Sequence, residues 1–139
     1  MPTTLLEKLT IDAPAAAVWG RIRNFDALQD WHPAIAESPA SQGNRVGSVR
    51  SIKVKGGGEV TETLEAHDDA GMSYRYRAKD GGALPVTNYS STITVKASGR
   101  QSIVEWSGTF TPNDDNAAGV ITGVYQGGLA QLKTLSETG

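Results

Sequence analysis

The sequence predicts an α+β fold: a curved antiparallel sheet of about seven strands, ordered β-αα-β6-α, wrapped around a long C-terminal helix with an internal cavity. Three observations carry the order of elements. Residues 113–136 repeat their apolar positions with a helical period and one buried face. From residue 37 onward the period becomes two, with turn residues between the runs. One short β-branched run and a helical pair precede those strands, and a single strand before the helices with many after them is an α+β layout.

Thr3 to Ile11 reads as the first strand. Asp12 is the expected N-cap of the next helix, with Pro14 allowed in its first turn. Ala15, Val18, Trp19, Ile22 and Phe25 line one face of that helix. Pro33 interrupts the segment from Asp26 to Ala36, which is expected to hold a short helical turn on each side of it. Val46 to Val54 is the next strand, Lys55 to Gly58 a turn, and Glu59 to His67 a strand. After the turn at Asp68, Asp69 and Gly71 come the strand Met72 to Ala78 and a glycine-rich loop, Lys79 to Pro85. Thr87 to Ala97 and Ser102 to Thr111 form a hairpin across Ser98, Gly99 and Arg100. Consecutive hairpins make the sheet antiparallel.

In the last helix, Val120, Val124, Leu135, Gly128, Ile121, Leu132, Tyr125 and Leu129 fall across one half of the wheel. Asp114 and Asp115 suit its positive N-terminal end. Gly128 sits in the middle of the apolar half, where a glycine costs roughly 1 kcal/mol against alanine. Either another backbone comes close there or space is left open.

Residues 1–139 are expected to be a single domain. A hydrophobic fraction of 38% with 16 glycines is modest for a tightly filled interior and compatible with a hollow one. The net charge of −2 gives no basic field for nucleic acid or an anionic membrane. With no cysteine there is no disulfide, thiol nucleophile or cysteine metal site, and a reducing compartment fits. No run is as apolar as a signal peptide or long enough for a membrane span, so a cytoplasmic location is expected.

Alternation assigns the strand faces. Arg50, Ile52 and Val54 share one, as do Val60, Glu62 and Leu64; Met72, Tyr74 and Tyr76; Tyr89, Ser91, Ile93 and Val95; and Val104, Trp106, Gly108 and Phe110. These sets are the expected concave side. Arg50 and Glu62 are charges among them. A bulge or a strand end could turn them to water. The sharper reading is a polar pair in a partly hydrated apolar pocket, since a buried lone charge is very unfavourable. A few polar groups in an apolar concavity characterise small-molecule sites. His32 and His67 have no ligand spacing, so no metal is expected. Gly56, Gly57 and Gly58 join two strands and are not a phosphate loop. No serine, histidine and aspartate arrangement marks a nucleophile, and no cofactor is implied.

The order and motifs together resemble the helix-grip superfamily of START domains, birch-pollen-type allergens and polyketide cyclase/dehydrase-like proteins, including small bacterial members. Val18-Trp19, Arg23, Phe25-Asp26 and Gln29 are similar to the first helical region of the plant abscisic-acid receptors. So are Gly47 to Arg50, Thr61 to Glu65 with Asp68-Asp69, Asn88-Tyr89 with Ser91 and Thr94-Val95, and Leu129 with Leu132. The likeness extends to the plant lachrymatory-factor synthase and runs from about residue 3 to 135.

The resemblance implies a ligand cavity lined by Ile52, Val54, Glu62, Tyr74, Tyr76 and Tyr89, closed by Val120, Val124 and Gly128 on the helix. Lys55 to Gly58 stands where the receptors have their gate, and Ala83 to Val86, with Leu84 and Pro85, where they have their latch. Leu64 and Trp106 join the site from the concave face. On this view the glycine at 128 keeps space for a ligand. The receptor gate sequence Ser-Gly-Leu-Pro-Ala and latch sequence His-Arg-Leu are absent, Gly128 replaces an asparagine, and no lysine stands at Ile35 to Pro39. Hormone sensing and phosphatase docking are therefore not expected. The synthase resemblance implies that Arg50 and Glu62 could do proton-transfer chemistry.

The preferred expectation is binding of a small hydrophobic ligand (a lipid, polyketide-like or isoprenoid compound) by a monomer or weak homodimer. The alternative is an enzyme of the cyclase, dehydratase or isomerase type, with Glu62 as general acid/base and Arg50 stabilising an enolate or carboxylate. A scaffold role has only the fold behind it.

Overall fold

Strand β1 (Thr3–Ile11) leads into helix α1 (Ala15–Ile22), the single turn α2 (Leu28–Trp31) and the short strand β2 (Ile35–Glu37). Strands β3 (Val49–Val54), β4 (Glu59–Asp68), β5 (Ser73–Asp80), β6 (Val86–Ser98) and β7 (Gln101–Pro112) follow, and helix α3 (Ala117–Thr138) closes the chain. The computed structural model describes residues 2–138; Met1 and Gly139, the ends of the expected domain, lie outside the described residues.

The seven strands form one antiparallel sheet in the order β1-β7-β6-β5-β4-β3-β2. Each hairpin lays its second strand beside its first, so β3 to β7 run in sequence, and β1 returns to pair with β7 along all nine of its residues. This is the helix-grip arrangement, with α3 against the concave face. The alternating sets are buried as expected: Ile52, Leu64, Tyr76, Ile93, Trp106 and Phe110 all face inward. The register shifts once in each of the β2–β3, β4–β5 and β6–β7 ladders. In β6 the register shifts between Thr87 and Ser90, and Asn88 takes φ 49°. The extra residue lets both Val86 and Tyr89 point into the core.

Four local expectations are corrected. The strand expected from Val46 starts at Val49; Val46 lies in a turn and is 64% exposed. The helical turn expected after Pro33 is instead strand β2, whose Ile35 and Glu37 pair with Val54 and Lys53. A three-residue strand is too short to show a period. Asp12 is not the cap of α1, whose N-cap is Pro14; the Asp12 N–H is taken by the Glu137 carboxylate at 2.8 Å. Helix α3 starts at Ala117, preceded by an Asp114 carboxylate that accepts the Asn116 N–H at 2.8 Å.

The buried face of α3 is Ala117, Ile121, Tyr125, Gly128, Leu129 and Leu132. The helix is thus rolled toward Tyr125 relative to the wheel reading, and Val120 is left 39% exposed. Gly119, Gly123 and Gly127 face open space. Three such glycines weaken intrinsic helix formation, so α3 depends on packing its apolar face.

Candidate functional site

A cavity of about 80 Å³ opens between the β3–β7 part of the concave face, the α2–β2 segment and α3. Its floor is buried: Leu28, His32, Ile52, Glu62, Tyr76 and Trp106 are among its residues, with Ile35, Val60 and Tyr89 beside them. Its mouth is the half-buried quartet Ala34, Val54, Leu84 and Val124. By the same measure a water needs roughly 10–15 Å³, while an apolar cavity that takes benzene has about 150 Å³. The void therefore holds water or part of a ligand, and a ring enters only if the mouth side chains move.

Arg50 and Glu62 are direct cross-strand partners on β3 and β4, both inward. They are 1% and 4% exposed. Arg50 Nη2 donates to Glu62 Oε1 at 2.5 Å and Nε donates to the same oxygen at 3.2 Å. Nη1 donates to the Phe25 carbonyl at 3.0 Å, and the guanidinium lies 4.1 Å from the Phe25 ring centre and 4.9 Å from that of Tyr76. Among the described residues Glu62 Oε2 accepts no hydrogen bond, and Glu62 lines the cavity while Arg50 does not. Burial pushes the Glu62 carboxyl up and Arg50 pulls it back. Burial alone would lower Arg50, but Glu62 and the neighbouring tyrosines outweigh it and hold the guanidinium charged.

Next to the pair runs a buried polar chain. Trp106 Nε1 donates to Tyr76 Oη at 3.1 Å and to Ser91 Oγ at 3.0 Å. Ser91 Oγ donates to the Ser107 carbonyl at 2.9 Å and lies 2.9 Å from Tyr125 Oη, which is 2.6 Å from Tyr89 Oη. Burial raises the pKa of all three tyrosines, that of Tyr125 to about 12, so they act as neutral hydroxyls. The Tyr125 hydroxyl reaches this chain because the facing β7 residue is Gly108, where a Cβ would overlap it.

His32 bridges the mouth. Its Nδ1 accepts the Ala34 N–H at 3.1 Å, which leaves Nε2–H to donate to the Val124 carbonyl at 2.7 Å. Burial lowers its pKa and Arg50 lowers it further, against the bond to Val124. The imidazole is therefore neutral.

Of the sequence-predicted site residues, Ile52, Val54, Glu62, Tyr76, Leu84, Tyr89, Trp106 and Val124 line the cavity. Five others do not. Tyr74 is covered by Trp19, Phe25 and His67, with ring centres 6.0–6.2 Å away. Leu64 is buried outside the lining, Pro85 cedes the lining place to Leu84, and Val120 turns to solvent. Gly128 is filled, not open: a Cβ there would lie 2.6 Å from His32 Cδ2 and 2.8 Å from Trp106 Cζ3. The expectation of reserved space at Gly128 is replaced by close packing. Arg50 stands behind Glu62 instead of facing the void.

Sequence reasoning missed His32, Leu28, Ala34, Ile35 and Val60. The first four sit on the segment around Pro33, whose path was misread. Val60 carried a usable signal, since it shares the inward face of Glu62.

The turn and loop expected as gate and latch lie against each other. The Ala83 N–H donates to the Glu59 carbonyl at 2.9 Å, and Gly58 approaches so closely that a Cβ on it would be 2.7 Å from that of Ala83. Gly82, at φ 57°, passes over the Glu59 carbonyl where no Cβ would fit.

Known proteins match this architecture. The chain is 39% identical over 90 residues to an abscisic acid receptor of Arabidopsis thaliana, covering 61% of this chain and 48% of the receptor. It spans about half the length of the curated relatives it matches. The structure of protein XoxI from Bacillus cereus superimposes with a TM-score of 0.88 at 34% identity, over 96% of this chain and 95% of that one. Ara h 8.0201 superimposes with a TM-score of 0.81 over the full length of both chains, at 19% identity, a likeness of fold alone. No helix among the described residues is long and apolar enough to cross a membrane. The family model for polyketide cyclase / dehydrase and lipid transport matches residues 3–137, and the chain belongs to that family.

Proposed function

We propose that the protein binds a small hydrophobic molecule, such as a lipid, polyketide-like or isoprenoid compound, in the cavity between sheet and α3. One observation carries this: a cavity with an apolar mouth has a single uncommitted carboxylate oxygen, that of Glu62, at its buried floor. Family membership and the receptor resemblance support the same reading. In this reading the protein works as a cytoplasmic monomer or weak homodimer. Native mass spectrometry of the purified protein tests it. A noncovalent adduct is expected, and it should be lost in Ile52→Trp, which fills the floor. Absence of any adduct, together with no perturbation of cavity amide resonances by isoprenoid alcohols, fatty acids or polyketide mimics, would overturn it.

The second reading, a cyclase, dehydratase or isomerase, is favoured by the raised pKa of Glu62, which suits a general acid/base. Here Glu62→Gln should abolish turnover of a polyketide or enone while ligand binding persists. Turnover retained by a folded Glu62→Gln protein would exclude this role.

A further inference from the structure

The direction of each hydrogen bond around the cavity can be worked out by counting protons. Ser91 has one hydroxyl hydrogen, and it goes to the Ser107 carbonyl. Ser91 Oγ must then accept from Tyr125, so the Tyr125 proton is spent there. At its contact with Tyr89, Tyr125 can only accept, which spends the Tyr89 proton too. Trp106 gives its single N–H to Tyr76 and Ser91. Both nitrogens of His32 are engaged by backbone. The Tyr76 hydroxyl accepts from Trp106, and among the described residues its own proton has no acceptor.

The lining therefore offers one free donor, the Tyr76 O–H, and one free anionic acceptor, Glu62 Oε2. They are neighbours. Tyr76 pairs with Leu64, two residues along β4 from Glu62, so the two side chains are diagonal on the same face. Diagonal Cβ atoms are about 7–8 Å apart or less, within reach of long side chains that meet over one ligand group.

We propose that the cavity selects neutral apolar molecules carrying a hydroxyl, an alcohol or a phenol, whose oxygen accepts from Tyr76 and whose proton goes to Glu62. This rests on the small-ligand reading above and names its ligand class. A hydroxyl both accepts and donates at a single atom. A carboxylate could take the Tyr76 proton but would meet the Glu62 anion with no cation at the surface of the void, because Arg50 stands behind Glu62. An ammonium could satisfy Glu62 but has no lone pair for Tyr76. A hydrocarbon would cover both groups and leave both unpaired, which is unfavourable.

Isothermal titration at neutral pH with benzyl alcohol, toluene, benzoate and benzylammonium tests this on the unmodified protein. Benzyl alcohol should bind about tenfold or more tighter than each of the others, the scale of one satisfied buried hydrogen bond. In Tyr76→Phe the ratio of alcohol to toluene affinity should fall toward unity. A preference for benzyl alcohol below about tenfold over any of the three would overturn the selection rule and leave the small-ligand reading standing. So would a full preference retained in a folded Tyr76→Phe protein. Failure of all four compounds to bind would also overturn the selection rule, and would remove the small-ligand reading itself if isoprenoid alcohols, fatty acids and polyketide mimics leave the cavity amides unperturbed as well.

Discussion

The edge of the His32 ring lies against Gly128, and the glycine's missing side chain is what lets Nε2 reach the Val124 carbonyl one turn earlier on α3. A Cβ at 128 would be 2.6 Å from that ring and 2.8 Å from Trp106. Gly128→Ala should therefore destabilise the protein by about 1–3 kcal/mol through overpacking, less the roughly 1 kcal/mol gained in helix propensity. Gly127 has nothing within 4 Å of its would-be Cβ, so Gly127→Ala should stabilise by about 0.5–1 kcal/mol. Thermal or urea unfolding of the two variants, one residue apart, would show opposite signs. Equal stabilisation by both would show that the site at 128 is open after all.

The buried ion pair makes a second comparison. Arg50→Met leaves the Glu62 carboxylate without its partner in the core and should cost about 3–5 kcal/mol at neutral pH. Adding Glu62→Leu should recover most of that loss, because a buried pair replaced by apolar groups of similar size is often near neutral. A double-mutant cycle by urea denaturation measures the coupling. Additive losses would mean that the two charges do not depend on each other.

Acid should act through His32. Its folded pKa lies below the ordinary 6.5, because burial disfavours the imidazolium. The unfolded chain then binds the proton more readily, so stability falls as pH drops below about 6.5 and levels off once the folded pKa is passed. Arg50 contributes to this depression. The protonated ring would also lose the Nδ1 acceptor that holds Ala34 at the mouth. His32→Gln should flatten the slope of stability against pH in that window. Unfolding free energies measured at pH 7.5, 6.5 and 5.5 check it, and an unchanged slope would assign the acid response to other groups.

On the same buried face of α3 as Gly128, one turn earlier, Tyr125 forms a complementary pair with Gly108. Gly108→Ala should destabilise by displacing the Tyr125 hydroxyl. Tyr125→Phe should cost about 1–3 kcal/mol, because the Tyr89 proton loses its acceptor and Ser91 loses a donor. The double variant should be more stable than the sum of the two losses predicts, since the phenyl ring leaves room for the added methyl. Strict additivity would show that the two residues do not compete for the same space.

The strands were legible because alternation is local: Ile52, Glu62, Tyr76 and Trp106 declare their face within a few residues. Six of the strand positions that alternation turned inward, Ile52, Val54, Glu62, Tyr76, Tyr89 and Trp106, line the cavity. What escaped it depends on contacts distant in sequence. The glycine at 128 has the same pattern whether it faces a void or a histidine 96 positions earlier, and only the fold puts His32 there. Strand β2 has three residues, and its pairing with β3 is set by Val54 and Lys53, not by a period of its own. The roll of α3 toward Tyr125 is fixed by Gly108 on another strand. The charges at 50 and 62 were recognisable as a pair, but which of them fronts the void depends on Phe25, whose carbonyl anchors the guanidinium.

The cavity wall has two origins. Glu62, Tyr76 and Trp106 come from the middle of long paired strands, while Ala34, Leu84 and Val54 come from the ends of short elements and the turns beside them. A change at the floor disturbs ladders, the ion pair or the hydroxyl chain, and risks the fold. A change at the rim alters what can pass with little cost to the ladders behind it. Descendants of this chain could thus exchange one guest for another by drift at the rim while inheriting the same anchoring chemistry below.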